Sequence, residues 1–180
     1  YFKRIKSFKF IIHMKILITG CNGQLGKALI QTKPKQFDLI KADKSTINFE
    51  NPLQCSEVIE KIKPDFVINT AAYTNVDKAE SEKNKAFQIN TKAPEIISKS
   101  LDHYGGKLIQ ISTDYVFDGK KNSSYSTNDK KNPQNFYGYS KDQAEENLLK
   151  IFKEKNRLII LRTSWLIGPV GKNFLLNILK

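Results

Sequence analysis

Apolar and polar positions along the chain alternate between two kinds of pattern. Five short runs are apolar at nearly every position: KILIT (15–19), FDLIKAD (37–43), PDFVINTAA (64–72), KLIQIST (107–113) and RLIILRTSW (157–165). Such runs, bounded by turn residues, predict strands. Between them apolar residues recur at helical spacing. QLGKALIQ follows the first strand. NPLQCSEVIEKIK (51–63) follows the second, with Leu53, Val58, Ile59 and Ile62 sharing a face, Asn51 as its cap and Pro52 in its first turn. A long helical region runs from Asn75 to Gly105, which Pro94 breaks or restarts and Gly105-Gly106 ends. A polar loop at 119–135 precedes YSKDQAEENLLKIFKEK (139–155), a helix with Ala144, Leu148, Leu149 and Phe152 at helical spacing. GPVG then predicts a turn, and a last helix starts and stops at Lys180 inside its own apolar pattern.

Strands alternating with helices long enough to cross over imply parallel βαβ units. The strands are too continuously apolar to have one wet face, so helices should cover both sides of the sheet. The expected fold class is α/β, a doubly wound parallel sheet with helices on both faces.

A chain of 180 residues is the size of one domain. Its formal charge of +12 raises a nucleic-acid surface as one reading. The lysines are scattered, however, and mix with acids on helices, as in KDQAEE; a solvated lysine-rich surface is the simpler reading, with no nucleic-acid partner. The densest basic run lies in residues 1–13, ahead of Met14, the sole methionine. Residues 1–13 are expected to be a non-native or disordered extension, and 14–180 a domain fragment. No run approaches membrane-spanning length, so no membrane partner is expected. Cys21 and Cys55 stand far apart in no metal-like spacing, which suits a reducing, cytoplasmic setting.

In doubly wound sheets ligands bind beyond the carboxyl ends of the strands. After the first strand comes GCNGQLG, with Gly20, Gly23 and Gly26. The spacing departs from the usual dinucleotide fingerprint, but it serves the same needs: a tight turn, backbone close to a pyrophosphate, and close helix packing. The amides of Gly23, Gln24 and Leu25 would open a helix toward an anion; a purely structural turn is the plainer alternative. Asp43 ends the second strand, where a carboxylate accepts from ribose hydroxyls and repels a 2′-phosphate; Lys44 beside it attracts that phosphate, leaving NAD versus NADP open. Asn48 and Phe49 follow, placed to flank an adenine. Ala71 and Ala72 after the third strand admit either a flat cofactor or a tightly packed helix. After the fourth, Thr113 or Ser112 offers a hydroxyl to polarise a carbonyl. In NFYGYSK, Tyr137 and Lys141 are i and i+4 on a helix and share a face, while Tyr139 points away. A nearby ammonium and an oxidised nicotinamide would lower a phenol's pKa from about 10 toward neutrality and fit it for proton transfer.

GCNGQLG, DFVINTAAYTNVDKAESE, ISTDYVFDG, YGYSK and LRTSWLIG occur in this order from Met14 onward. Together they resemble the extended short-chain dehydrogenase/reductase superfamily, and within it the dTDP-4-dehydrorhamnose reductase family, for which AAYTNVDKAE followed by STDYVFDG is especially specific. The resemblance implies a Rossmann-like fold and an NADPH- or NADH-dependent reduction of the 4-keto group of dTDP-4-dehydro-β-L-rhamnose. It implies a cofactor cradle of Gly20, Gly23, Gln24, Leu25 and Gly26, with Asp43 near the adenosine ribose and Asn48 and Phe49 at the adenine. Asn48 stands where an Asp is usual. Ala71, Ala72 and Tyr73 would line the middle of the cofactor, and Thr113 would bind the carbonyl. Tyr137 would donate the proton, with Lys141 holding the nicotinamide ribose. Asp114 and Trp165 would contact the dTDP-sugar substrate. The family's chains are longer, so the substrate domain is expected to be largely missing here. A homodimer is left open, as is the family's Mg2+, for which no site is assignable. Two other readings share the fold: a non-catalytic regulatory subunit resembling the methionine adenosyltransferase β-subunit, and a nucleotide-sugar epimerase or dehydratase.

Overall fold

A computed structural model describes residues 14–34, 37–153, 156–168 and 178. The expected extension at 1–13 and the last helix with its GPVG turn lie outside these residues, apart from Gly168, which begins that turn, and Ile178. Five strands form one parallel sheet: β1 (Lys15–Thr19), β2 (Asp38–Ala42), β3 (Phe66–Asn69), β4 (Lys107–Thr113) and β5 (Leu158–Thr163). Their order is β2-β1-β3-β4-β5. The chain leaves β1 toward one edge to make β2 and then returns to β1's other side to make β3. That reversal opens a crevice between the carboxyl ends of β1 and β3.

The helices are α1 (Gln24–Thr32), α2 (Pro52–Ile62), α3 (Val76–Ser81), α4 (Lys83–Phe87), α5 (Ala93–Tyr104) and α6 (Phe136–Ile151). Leu17, Val67 and Leu108 of the central strands are buried, with Cys55 and Ile59 of α2, Ile97 and Leu101 of α5, and Leu148 and Phe152 around them. Each fully buried side chain of this size contributes about 1.5–3 kcal/mol of transfer free energy.

Several expected boundaries move. The long helical region is divided, and Pro94 does not restart it behind a new cap. A π-helical turn (Gln88–Lys92) runs straight into α5, with Pro94 in the first turn of that helix. Proline lacks the N–H that a regular turn would use, and the wider turn tolerates its absence. β3 stops at Asn69 rather than 72, because side chains take over from the ladder: Thr70 Oγ1 donates to the Thr19 carbonyl (2.6 Å) and the Ala71 amide donates to Asn69 Oδ1 (3.2 Å). Helix α6 begins at Phe136, earlier than expected, since Asn135 caps it by accepting from the Gly138 amide (2.7 Å). β5 is confined to Leu158–Thr163, not 157–165. Leu53 (73 % exposed) and Leu149 (54 % exposed) leave the faces assigned to them. Among the described residues β5 pairs only with β4, and its Ile159 and Leu161 are exposed, so the expectation of two covered faces does not extend to this strand.

Candidate active site

A cavity of about 810 Å³ runs along the carboxyl edge of the sheet. One end is the glycine turn. Gly20 has φ +65°, and a Cβ there would stand 2.8 Å from the Ala71 Cα across the crevice. Gly26 packs inward instead: a Cβ on it would sit 2.5 Å from the Gly20 carbonyl oxygen. The turn is thus drawn tight by backbone alone, as a cradle for a pyrophosphate must be. Gly20, Gly23, Gln24 and Leu25 line the cavity, whereas Gly26 supports it from behind.

Asp43 faces the same end. Its Oδ1 accepts from the Ser45 hydroxyl (2.6 Å), the Ser45 amide (2.9 Å) and the Thr46 amide (3.1 Å). The Ser45 hydroxyl first, then these amides, lower its pKa to about 2. Asp43 therefore builds the turn that carries Asn48 and Phe49 into the cavity wall, a role its sequence position did not reveal. Asn22 Nδ2 reaches Asp43 Oδ2 at 3.4 Å. Lys44, weighed above as a phosphate ligand, pairs with Glu50 at 2.6 Å. Asp43→Ala should undo this turn and weaken dinucleotide binding, read by fluorescence titration, since the Ser45 and Thr46 amides lose the carboxylate that holds them.

Ala71 and Ala72 line the middle of the cavity, as expected from their small size. Tyr73 stands outside its wall. Its amide donates to Asn90 Oδ1 (2.8 Å) and its hydroxyl to Glu82 (3.1 Å), which turns the residue toward α3, α4 and the π turn. Beneath the alanines a buried polar chain crosses three strands. Thr19 Oγ1 donates to Asn69 Oδ1 (2.6 Å), and Asn69 Nδ2 donates to Gln110 Oε1 (2.8 Å). Sequence reasoning passed over Asn69 and Gln110, although a polar residue inside each of two apolar strands is the signal that marks them.

At the far end Thr113, Asp114, Tyr137, Lys141 and Trp165 meet. Thr113 Oγ1 donates to Asp114 Oδ1 (3.1 Å) and accepts from the Tyr115 amide (3.2 Å). The Tyr115 and Tyr137 rings meet edge to face at 5.7 Å. Tyr139 is 42 % exposed and stacks on Phe87, away from the cavity. Trp165 holds a left-handed backbone, φ +48°, which a bulky residue adopts only under constraint.

Electrostatically the pair differs from its expected form. Lys141 is 3 % exposed, and its ammonium donates to the Ile111 carbonyl at 2.6 Å. Burial lowers its pKa to about 8, against the pull of Glu145. Tyr137 is raised above the ordinary phenol value, first by burial, then by Asp114 and Tyr115, while the neighbouring Thr113 hydroxyl pulls the other way. On balance the protein's own groups hold the Tyr137 phenol above its ordinary value, so it keeps its proton at neutral pH. Among the described residues, no group of three or more His, Cys, Asp or Glu could hold a metal ion, and no helix is long and apolar enough to cross a membrane.

The family model described as RmlD substrate binding domain matches residues 14–180. The dTDP-4-dehydrorhamnose reductase of Aggregatibacter actinomycetemcomitans is 35 % identical over 168 residues, covering 92 % of this chain and 56 % of the relative. The spore coat polysaccharide biosynthesis protein SpsK of Bacillus subtilis is 36 % identical over 167 residues, covering 92 % of this chain and 58 % of its own length. Among solved structures, the Bacillus anthracis dTDP-4-dehydrorhamnose reductase in complex with NADP superposes with a TM-score of 0.87 at 37 % identity, over 93 % of this chain and 59 % of the other. The chain spans little more than half the length of the relatives it matches.

Proposed function

The chain belongs to the RmlD substrate binding domain family, and from that premise we propose that it is the cofactor-binding and catalytic part of an NAD(P)H-dependent reductase. Its substrate is dTDP-4-dehydro-β-L-rhamnose, whose 4-keto group becomes the alcohol of dTDP-L-rhamnose. The observation that carries this reading is the convergence of Thr113, Tyr137 and Lys141 on one cavity that begins at the glycine turn. The residues present fit a dinucleotide: side-chain-free backbone at Gly20 and Gly23, the opening amides of α1, and small Ala71 and Ala72 along the middle. The names of the relatives above support the same substrate class.

When bound, NAD(P)H supplies the hydride for the carbonyl carbon. Thr113 holds the carbonyl oxygen by its hydroxyl and polarises it. Tyr137, two residues past the cap Asn135, gives its phenolic proton to the oxygen as charge develops there. Lys141 anchors the cofactor ribose from its buried position and stabilises the tyrosinate left behind.

A version extended to the family's full length should oxidise NADPH stoichiometrically only when the dTDP-4-keto sugar is added. Net consumption separates a reductase from an epimerase or dehydratase, which return the hydride. Cofactor binding with no ketone-dependent oxidation would instead favour a regulatory subunit.

A further inference from the structure

Glu145 is only 1 % exposed, lies one helical turn beyond Lys141 on α6, and has no part in the chemistry above. Burying a carboxylate is costly unless it is paired, and Glu145 is paired from three directions. Arg162 of β5 donates from Nε to Oε1 (3.0 Å) and from Nη2 to Oε2 (2.7 Å). The Ser112 hydroxyl of β4 donates to Oε1 at 2.5 Å. Lys131, from the loop before α6, stands 3.5 Å from Oε2 and also pairs with Asp142 and Glu146. Burial would raise the Glu145 carboxyl, but the hydrogen bonds from Arg162 and Ser112 outweigh it and hold the group below the usual carboxylate range.

The partners sit at a telling place. Ser112 and Arg162 face each other in the β4–β5 ladder. Ser112 also lies between Ile111, whose carbonyl accepts from Lys141, and Thr113. Helix α6, which carries Tyr137 and Lys141, is therefore stitched to β4, which carries Thr113, at two successive levels. The charged and titratable groups facing this corner are Tyr137, Asp142, Glu145 and Glu146 on α6, Asp114 and Tyr115 after β4, Arg162 on β5, and Lys131. Of these, Glu145 is the charge that opposes the effect of burial on Lys141.

We propose that Glu145 is a positioning residue: held by Arg162 and Ser112, it fixes α6 against β4 and so sets where Lys141 lies. A carboxylate one helical turn away also favours the cationic form of that amine. The proposal rests on the reading of Lys141 as the cofactor's ribose anchor. An amine that loses its proton accepts where it should donate and no longer stabilises the tyrosinate.

The test is a pH titration of the chain with isotope-labelled lysine, following the Lys141 side-chain resonance by NMR, assigned through Lys141→Met. Glu145→Gln should move the Lys141 midpoint down by about one pH unit. Ser112→Ala, which removes a hydrogen bond and no charge, should leave the midpoint in place. NADPH affinity of Glu145→Gln should then fall as pH rises through neutrality, where the unaltered chain still binds. A folded Glu145→Gln with an unmoved midpoint overturns the proposal, as does an equal shift in Ser112→Ala. Should the unpaired Arg162 prevent folding, the double variant Glu145→Gln/Arg162→Met is titrated against Arg162→Met alone, and equal midpoints again overturn it. The titration needs no cofactor. An unaltered chain that binds neither NADPH nor NADH therefore overturns the reductase reading and not this one.

Discussion

Tyr137→Phe, made in a chain of the family's full length, should lower turnover about 10²–10⁴-fold, the range that a positioned general acid contributes. NADPH affinity should change less than about twofold, because the substitution removes one hydroxyl and leaves the ring. The ring keeps its edge-to-face contact with Tyr115, so the wall of the cavity stays in place. What disappears is the proton for the developing alkoxide. The check is steady-state turnover beside cofactor titration on the same preparation. Unchanged turnover would remove Tyr137 from its role, and Tyr139, exposed and stacked on Phe87, could not replace it from its position.

Gly138→Ala should be the most damaging single-methyl change near the site. By helix propensity alone it would stabilise α6 by about 1 kcal/mol. Its surroundings reverse the sign. A Cβ at 138 would lie 2.2 Å from the Tyr115 carbonyl oxygen, and backbone cannot step aside as a flexible side chain can. Overpacking of this kind costs about 1–3 kcal/mol, which cancels the propensity gain and leaves a net loss. The displacement separates α6 from the turn that follows Thr113, so Tyr137 and Thr113 move apart. A misplacement of about 1 Å can cost about a hundredfold in rate. Denaturant unfolding and turnover should therefore both worsen, turnover by more. A more stable, fully active Gly138→Ala would show that the helix can move outward at no cost.

Much of the architecture was legible in the chain. KILIT and KLIQIST become β1 and β4 with their expected ends, because a buried parallel strand is apolar throughout and both are followed by residues that cannot prolong it. That Tyr137 and Lys141 share a helix face which Tyr139 does not follows from helical geometry alone. The failures share a cause. Leu53 lies off the face that Cys55 and Ile59 bury, since apolar character at roughly helical spacing does not say which stripe meets a neighbour. The 75–105 region reads as a helical stretch that only Pro94 interrupts, because periodicity carries no mark for a π turn. Tyr73 follows Ala72 in the chain, yet the partner of its amide is the Asn90 side chain, distant in sequence.

By itself the sequence determined the alternation of strands and helices, the parallel sheet that follows from it, and the residues that end each strand at one edge. Those are consequences of local period, turn chemistry and chain direction. Only the tertiary structure decided how those residues are held. It spent Asp43 on a turn, sent the Lys141 ammonium to the Ile111 carbonyl, and placed Glu145 beneath it between Ser112 and Arg162. Burial and the positions of partners many residues away set the charge on a side chain, and neither is written in its neighbours along the chain.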